Sequence, residues 1–228
     1  MSKIKINNRI LIWKPYLAIY LYLFLCLLAL NGCAQGNSAD SKGINKSPHV
    51  SWLGSTCPVN QIKNDELKVG EQQFEVCQLD AWGAAQSVVK IKHLYISSQP
   101  DLETFEIARK KGVKLVINLR DPKEFNWDEQ KAAKQTGLDY YNIPISASGE
   151  SFDPEAINQI SALVQKHKNQ KILLHCSSGN RASAWLAIHL IKDHDMPSDS
   201  AIVLAKKVGL TSPAIESRVK QFNLHPSP

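Results

Sequence analysis

Between Val89 and Phe222 strand-length apolar runs alternate with helix-length amphipathic ones, and this alternation restricts the fold more than any other feature. Val89, Ile91, Leu94 and Ile96 suit one or two short strands. Asp101 is a good N-cap for a helix running to about Lys111 and closed by Gly112. Val113–Leu119 is a continuous apolar run of strand length, and Trp127–Thr136 reads helical with Gly137 as its stop. Leu138–Ile145 is a further strand, with Pro144 setting an edge or bend near its end. Asp153-Pro154 opens a helix whose Ile157, Ile160, Leu163 and Val164 share one face. Lys171–His175 is a short buried strand, and helices follow at about 181–193, 198–208 and 213–222. Such a pattern predicts an α/β domain over 89–225, a central and mostly parallel sheet flanked by helices.

One junction in that pattern carries chemistry. His175-Cys176-Ser177-Ser178-Gly179-Asn180-Arg181 joins a buried strand to a helix. Small and turn-forming residues let backbone N–H groups converge on one point, and the following helix aims its N-terminus there. A thiol at that point is expected to be largely thiolate at neutral pH. Arg181 supplies a planar fork for two oxygens of a tetrahedral oxyanion. His175 is either a core histidine bonded to backbone or a group that tunes the sulfur.

The first residues read as an address. Lys3, Lys5, Arg9 and Lys14 precede an apolar run from Pro15 to Leu30, too short for a spanning helix, which needs roughly 20 residues. Leu30-Asn31-Gly32-Cys33 resembles the bacterial lipobox. That resemblance implies a signal peptide over 1–32, lipidation of Cys33 and a periplasmic protein held to the membrane by its lipid. Gln35, where an inner-membrane retention signal would place Asp, points to the outer membrane. An uncleaved N-terminal anchor helix is the alternative. Residues 33–48 are small and polar and read as a flexible tether. The formal charge is +6, of which four charges lie in the leader, so the remainder is nearly neutral and a nucleic-acid partner is not expected.

Export decides how the five cysteines are read. Cys26 leaves with the signal and Cys33 takes the lipid. Cys57 and Cys77 share the weakly patterned segment 49–88 and are the natural disulfide of a small N-terminal extension, stabilising by about 3 kcal/mol in the chain-entropy model. Cys176 is left as a lone thiol.

HCSSGNR with its strand and helix resembles the signature loop of cysteine-based phosphatases, in particular the bacterial dual-specificity-like enzymes called beta-lactamase-hydrolase-like phosphatases. The likeness covers about Ile91 to Leu210, including LYISSQPDLETF, GVKLVINLRDPKE, GLDYYNIPI and the small-residue series Ala201, Ala205, Gly209, Leu210. It implies a tyrosine-phosphatase-like fold with Cys176 as nucleophile and Arg181 as clamp. The N–H groups of Ser177, Ser178, Gly179 and Asn180 would cradle the phosphate, with neither metal nor cofactor required. The substrate would be a phosphomonoester: a phosphotyrosine or phosphoserine protein, a sugar phosphate or a lipid phosphate. Three departures stand out. Four residues, not five, separate Cys from Arg. Ala182 stands where a hydroxyl usually follows Arg, with Ser183 one place on. Ser146 stands where the Asp general acid is usual, which leaves Glu150 or Asp153 as replacement, and Glu150 is preferred because Asp153 suits a helix N-cap. Arg120 and Asp121 either line the pocket or fix a loop through an Arg–Glu pair.

Two other readings share the loop. Rhodanese-type sulfurtransferases also use four residues between Cys and Arg, to stabilise a persulfide. Against that reading, Asn118 replaces their Asp, and their Gly-His-Ile-Pro-Gly-Ala segment is absent. The third is an anion-binding lipoprotein whose cysteine chemistry has lapsed.

Overall fold

The computed structural model of the chain describes Cys57, residues 63–69 and residues 72–224. The expected signal peptide, the lipidated Cys33 and the tether lie outside these residues. Among the described residues no helix is long and apolar enough to cross a membrane.

Seven strands form one mixed sheet in the order β1-β2-β3-β4-β7-β5-β6. Four of them, β4 (Leu94–Ser97), β7 (Lys171–His175), β5 (Val113–Asn118) and β6 (Asp139–Asn142), run parallel, the expected α/β core. On the other side β1 (Lys63–Val69), β2 (Gln72–Leu79) and β3 (Val88–Ile91) add an antiparallel meander. Within β2, Phe74 and Val76 alternate into the core and Val76 pairs with Ile91. Cys77, on the opposite face, is joined to Cys57 by a disulfide with Cα atoms 5.9 Å apart.

The helices are α1 (Leu102–Lys110), α2 (Glu129–Gln135), α3 (Pro154–Lys166), α4 (Asn180–His194), α5 (Ser198–Lys207) and α6 (Pro213–Leu224). Their starts follow local chemistry. The Asp101 carboxylate accepts the Thr104 N–H at 2.8 Å while the Asp101 N–H donates to the Thr104 hydroxyl, a reciprocal cap. The helix expected from Trp127 starts two residues later because the Asp128 side chain takes the Lys131 N–H and caps it. Ordered pairing of β6 stops at Asn142, short of Ile145. The Ile143 and Ile145 N–H groups still reach the carbonyls of Asn118 and Leu119, but Pro144 between them has no N–H to donate.

Alternation along the strands divides the core. Ile172 and Leu174 face the layer that contains Trp185, Ile157 and Leu204, while Leu173 and Val116 face Phe105, Trp82 and Ala133. Full burial of each such large apolar side chain contributes about 1.5–3 kcal/mol before entropy is counted. Register then fixes where function can sit: Ser97, His175, Asn118 and Asn142 lie abreast at the carboxyl ends of the four parallel strands. The loops that follow them meet on that edge, where open α/β sheets bind ligands.

A histidine cluster occupies the far end of α4. His189 Nδ1 lies 2.6 Å from the Asp193 carboxylate, its ring stacks on Trp185, and the His194 ring stands edge-on to it. Burial, reinforced by Lys92 and His189, pushes the His93 pKa down to about 4. The unfolded chain therefore takes up that proton at a higher pH than the folded one, so folding stability is full above about pH 6.5 and declines toward pH 4. Urea midpoints at pH 7 and 4.5 check this: His93→Gln is expected to lose less stability across the interval than the parent chain. An equal loss in both would remove His93 as a source of the slope.

Candidate active site

Cys176 follows β7 directly and is fully buried, with Ser177 and Ser178 exposed as the outer lip of the turn. The chain can reverse into α4 because Gly179 adopts φ +89°, a left-handed conformation that L side chains rarely take. That reversal points the Gly179 N–H at Cys176 Sγ, 3.1 Å away. Of the four N–H groups expected to form a cradle, that of Gly179 is the one bonded to the sulfur. Asn180 locks the far side of the turn: its Oδ1 accepts the N–H groups of Thr211 and Ser212 at 2.7 and 2.8 Å, and its Nδ2 donates to the Ser178 hydroxyl.

Arg181 is 2% exposed and its orientation is over-determined. Nη1 and Nη2 each donate to one Glu124 carboxylate oxygen at 2.7 Å. Nη1 also donates to the Ile145 carbonyl at 2.9 Å, and Nη2 to the Ser177 hydroxyl at 3.3 Å. Both N–H groups of Nη2 are thereby engaged, by Glu124 and Ser177. Burial works against the guanidinium charge, but Glu124 and Cys176 outweigh it and raise the Arg181 pKa. In return the hydrogen bonds from Arg181 hold the Glu124 carboxyl down at about 2, against the opposing effect of burial. Glu124 is therefore an ionised clamp, with no proton to donate at neutral pH.

Sequence reading did not single out Glu124 as a site residue. The signal for it was Arg181: an arginine buried in the first turn of a helix needs a carboxylate. The loop that delivers Glu124 is Arg120–Phe125, which closes as a short 3₁₀ turn (Pro122–Glu124). Asp121 caps that turn through the Lys123 N–H at 2.9 Å and so shapes the loop. Arg120 resolves the same way: it donates to the Glu124 carboxylate at 3.4 Å, to the Glu124 carbonyl and to Gln99, which fixes the loop.

His175 is fully buried, with Nε2 2.7 Å from Oε1 of Glu129, a carboxylate equally removed from water. Its Nδ1 lies 3.4 Å from the Cys176 carbonyl oxygen. Glu129 Oε2 in turn accepts from Asn118 Nδ2 and Gln99 Nε2, both at 3.2 Å. A polar network therefore adjoins the Cys176–Arg181 loop. Nothing local marks Glu129 as part of it, since its partner is 46 residues away on another element.

The remaining expectations divide. Ser183 donates to the carbonyls of Gly179 and Val208, both at 3.0 Å, so its hydroxyl is spent on helix and loop packing. Asp153 caps α3 by accepting the Glu155 N–H at 2.9 Å, the role anticipated for it. Glu150 is exposed in the loop that leaves Ile145, beside the left-handed Gly149. The structure brings Cys176, Ser177, Gly179, Asn180 and Arg181 together and sets Glu150 on a loop whose root touches Arg181.

Comparison with known proteins agrees with this geometry. Residues 92–195 match a family described as polymorphic toxin system, DSP-PTPase phosphatase. A beta-lactamase hydrolase-like protein of Xylella fastidiosa is 32% identical over 124 residues, which is 52% of this chain and 28% of the relative, so most of that relative has no counterpart here. In fold, the chain is similar to P. aeruginosa TpbA (TM-score 0.50, 17% identity, 59% of this chain and 83% of that one). It is also similar to a kinase associated phosphatase (TM-score 0.51, 14% identity, 57% and 84%). The segment that carries the Cys176–Arg181 loop is thus similar, over residues 92–195, to DSP-PTPase phosphatase domains.

Proposed function

We propose that the chain hydrolyses phosphomonoesters through a phosphocysteine at Cys176. The sulfur lone pair forms the S–P bond while the P–O bond to the leaving group breaks, its electron pair staying on oxygen. Glu150 gives that oxygen a proton, and the resulting carboxylate takes one from the water that later cleaves the S–P bond. Arg181 and the loop N–H groups hold the equatorial oxygens, where charge accumulates. The observation that carries this reading is the Gly179 N–H aimed at Sγ beside an arginine fork pre-set by Glu124. For the whole chain we propose a lipid-anchored protein outside the cytoplasm. The leader motif ending at Cys33 and the Cys57–Cys77 disulfide, a bond of oxidising compartments, support that placement.

Intact-mass spectrometry after rapid quenching separates the candidate chemistries. Mixed with an aryl phosphate, the chain is expected to gain a phosphoryl group that is lost in Cys176→Ser. Mixed with thiosulfate, it is expected to gain nothing. A single added sulfur without a phosphoryl adduct would establish the sulfurtransferase reading that the four-residue loop also suits. No adduct from either reagent would mark an anion-binding protein without turnover.

A further inference from the structure

Helix α6 lies beyond the segment matched to the family, yet it touches both loops of the site. Its entry is pinned to the nucleophile loop, because Asn180 accepts the N–H groups of Thr211 and Ser212. Further along, Arg218 is 5% exposed and spends its fork on the other loop. Nη1 donates to the Ser146 carbonyl at 3.0 Å and Nη2 to the Ser151 carbonyl at 2.8 Å, while the guanidinium packs 4.1 Å from the centre of the Phe152 ring. Those two carbonyls are the two stems of the loop that carries Glu150. The residue before the first stem, Ile145, is bonded to Arg181. One end of the loop is therefore tied to the oxyanion clamp and both stems to α6, leaving only the tip, with Gly149 and Glu150, outside the clamp.

We propose that Arg218 is a positioning residue for protonation of the leaving group. By closing the stems of loop 146–152 it holds the Glu150 carboxyl over the site without a lid movement. A carboxyl on a loose seven-residue loop would sample many positions, and proton transfer requires hydrogen-bond reach of the departing oxygen. A buried arginine whose fork is given to two backbone carbonyls, with no carboxylate among those partners, forgoes the stronger partner an acid would supply. That choice is intelligible if the geometry of those carbonyls is what the residue secures. Burial, with the charge of Arg181 nearby, lowers the Arg218 pKa; a guanidinium is nonetheless charged at neutral pH.

The assignment rests on the phosphatase reading, and leaving-group chemistry tests the two separately. Turnover of phenyl phosphate and of 2,4-dinitrophenyl phosphate is compared in the parent chain, Arg218→Lys, Glu150→Gln and the double variant. A phenoxide needs a proton to depart, whereas a dinitrophenoxide leaves without one. Arg218→Lys is expected to lower the ratio of phenyl to dinitrophenyl turnover by about 10–100-fold, and to lower it no further when Glu150 is already Gln. Equal losses on both esters, or losses that multiply in the double variant, would show that Arg218 acts on folding or binding and not through Glu150. If Arg218→Lys does not fold, Phe152→Leu loosens the seat of the same guanidinium while keeping its charge, and the same ratio decides. A parent chain that cleaves neither ester overturns the phosphatase reading and this assignment with it. A parent chain that cleaves both leaves the first standing whatever Arg218 does.

Discussion

Cys176→Ser is expected to remove phosphate release, by on the order of 10⁴-fold or more, while leaving the fold intact. A serine hydroxyl fits the space of the buried thiol and can accept the Gly179 N–H that now meets Sγ at 3.1 Å, so little packing is lost. What is lost is nucleophilicity, because no base stands ready to deprotonate an alcohol here: His175, the nearest imidazole, faces Glu129 with Nε2 and the Cys176 carbonyl with Nδ1. The variant should still bind a phosphate ester, since the loop N–H groups and Arg181 are untouched. Isothermal titration with a non-activated aryl phosphate, beside a release assay, checks both halves. Release at an undiminished rate would place the chemistry elsewhere in the molecule.

The second large effect falls on the Arg181–Glu124 pair. Arg181→Ala is expected to lower kcat/KM about 10³-fold, the order seen when a fixed donor to the transition-state oxyanion is removed. Glu124→Gln keeps the arginine but loses the paired charge. The buried guanidinium then has the Leu119 and Ile145 carbonyls to compensate it, at 3.4 and 2.9 Å. The side chain of Glu124 is 26% exposed, so the cost should fall below that of a fully buried pair, at about 2 kcal/mol. The pH dependence has a definite sign. The folded-state pKa of Glu124 is depressed to about 2, so its stabilisation is complete above the ordinary carboxylate range and declines as pH falls through 4 toward 2. Urea midpoints of parent and Glu124→Gln should accordingly converge between pH 6 and pH 3. A constant gap across that range would mean the charge on Glu124 is not what stabilises the pair.

Much of the architecture was legible because local rules and global fold agree. Apolar runs of strand length, caps at Asp101 and Asp153, and stops at Gly112 and Gly137 each act within a few residues of chain. The Cys176–Arg181 turn was legible for the same reason, since nucleophile, nest and fork fall within six consecutive residues. Less visible was the N-terminal hairpin. Its strands gain their place by pairing β2 with β3, a match between separate stretches of chain that no local period announces.

What tertiary structure alone decided is which groups serve the loop. Glu124 reaches Arg181 across 57 residues, Glu129 reaches His175 across 46, and Arg218 reaches Ser146 across 72. Sequence determined that a strand, a turn and a helix would present a thiol and an arginine together, because backbone geometry over a few residues dictates it. It could not name their partners. A buried charge accepts whichever opposite group the packing of distant elements carries to it, and only the register of the parallel strands, with Ser97, His175, Asn118 and Asn142 abreast, settles which loops arrive.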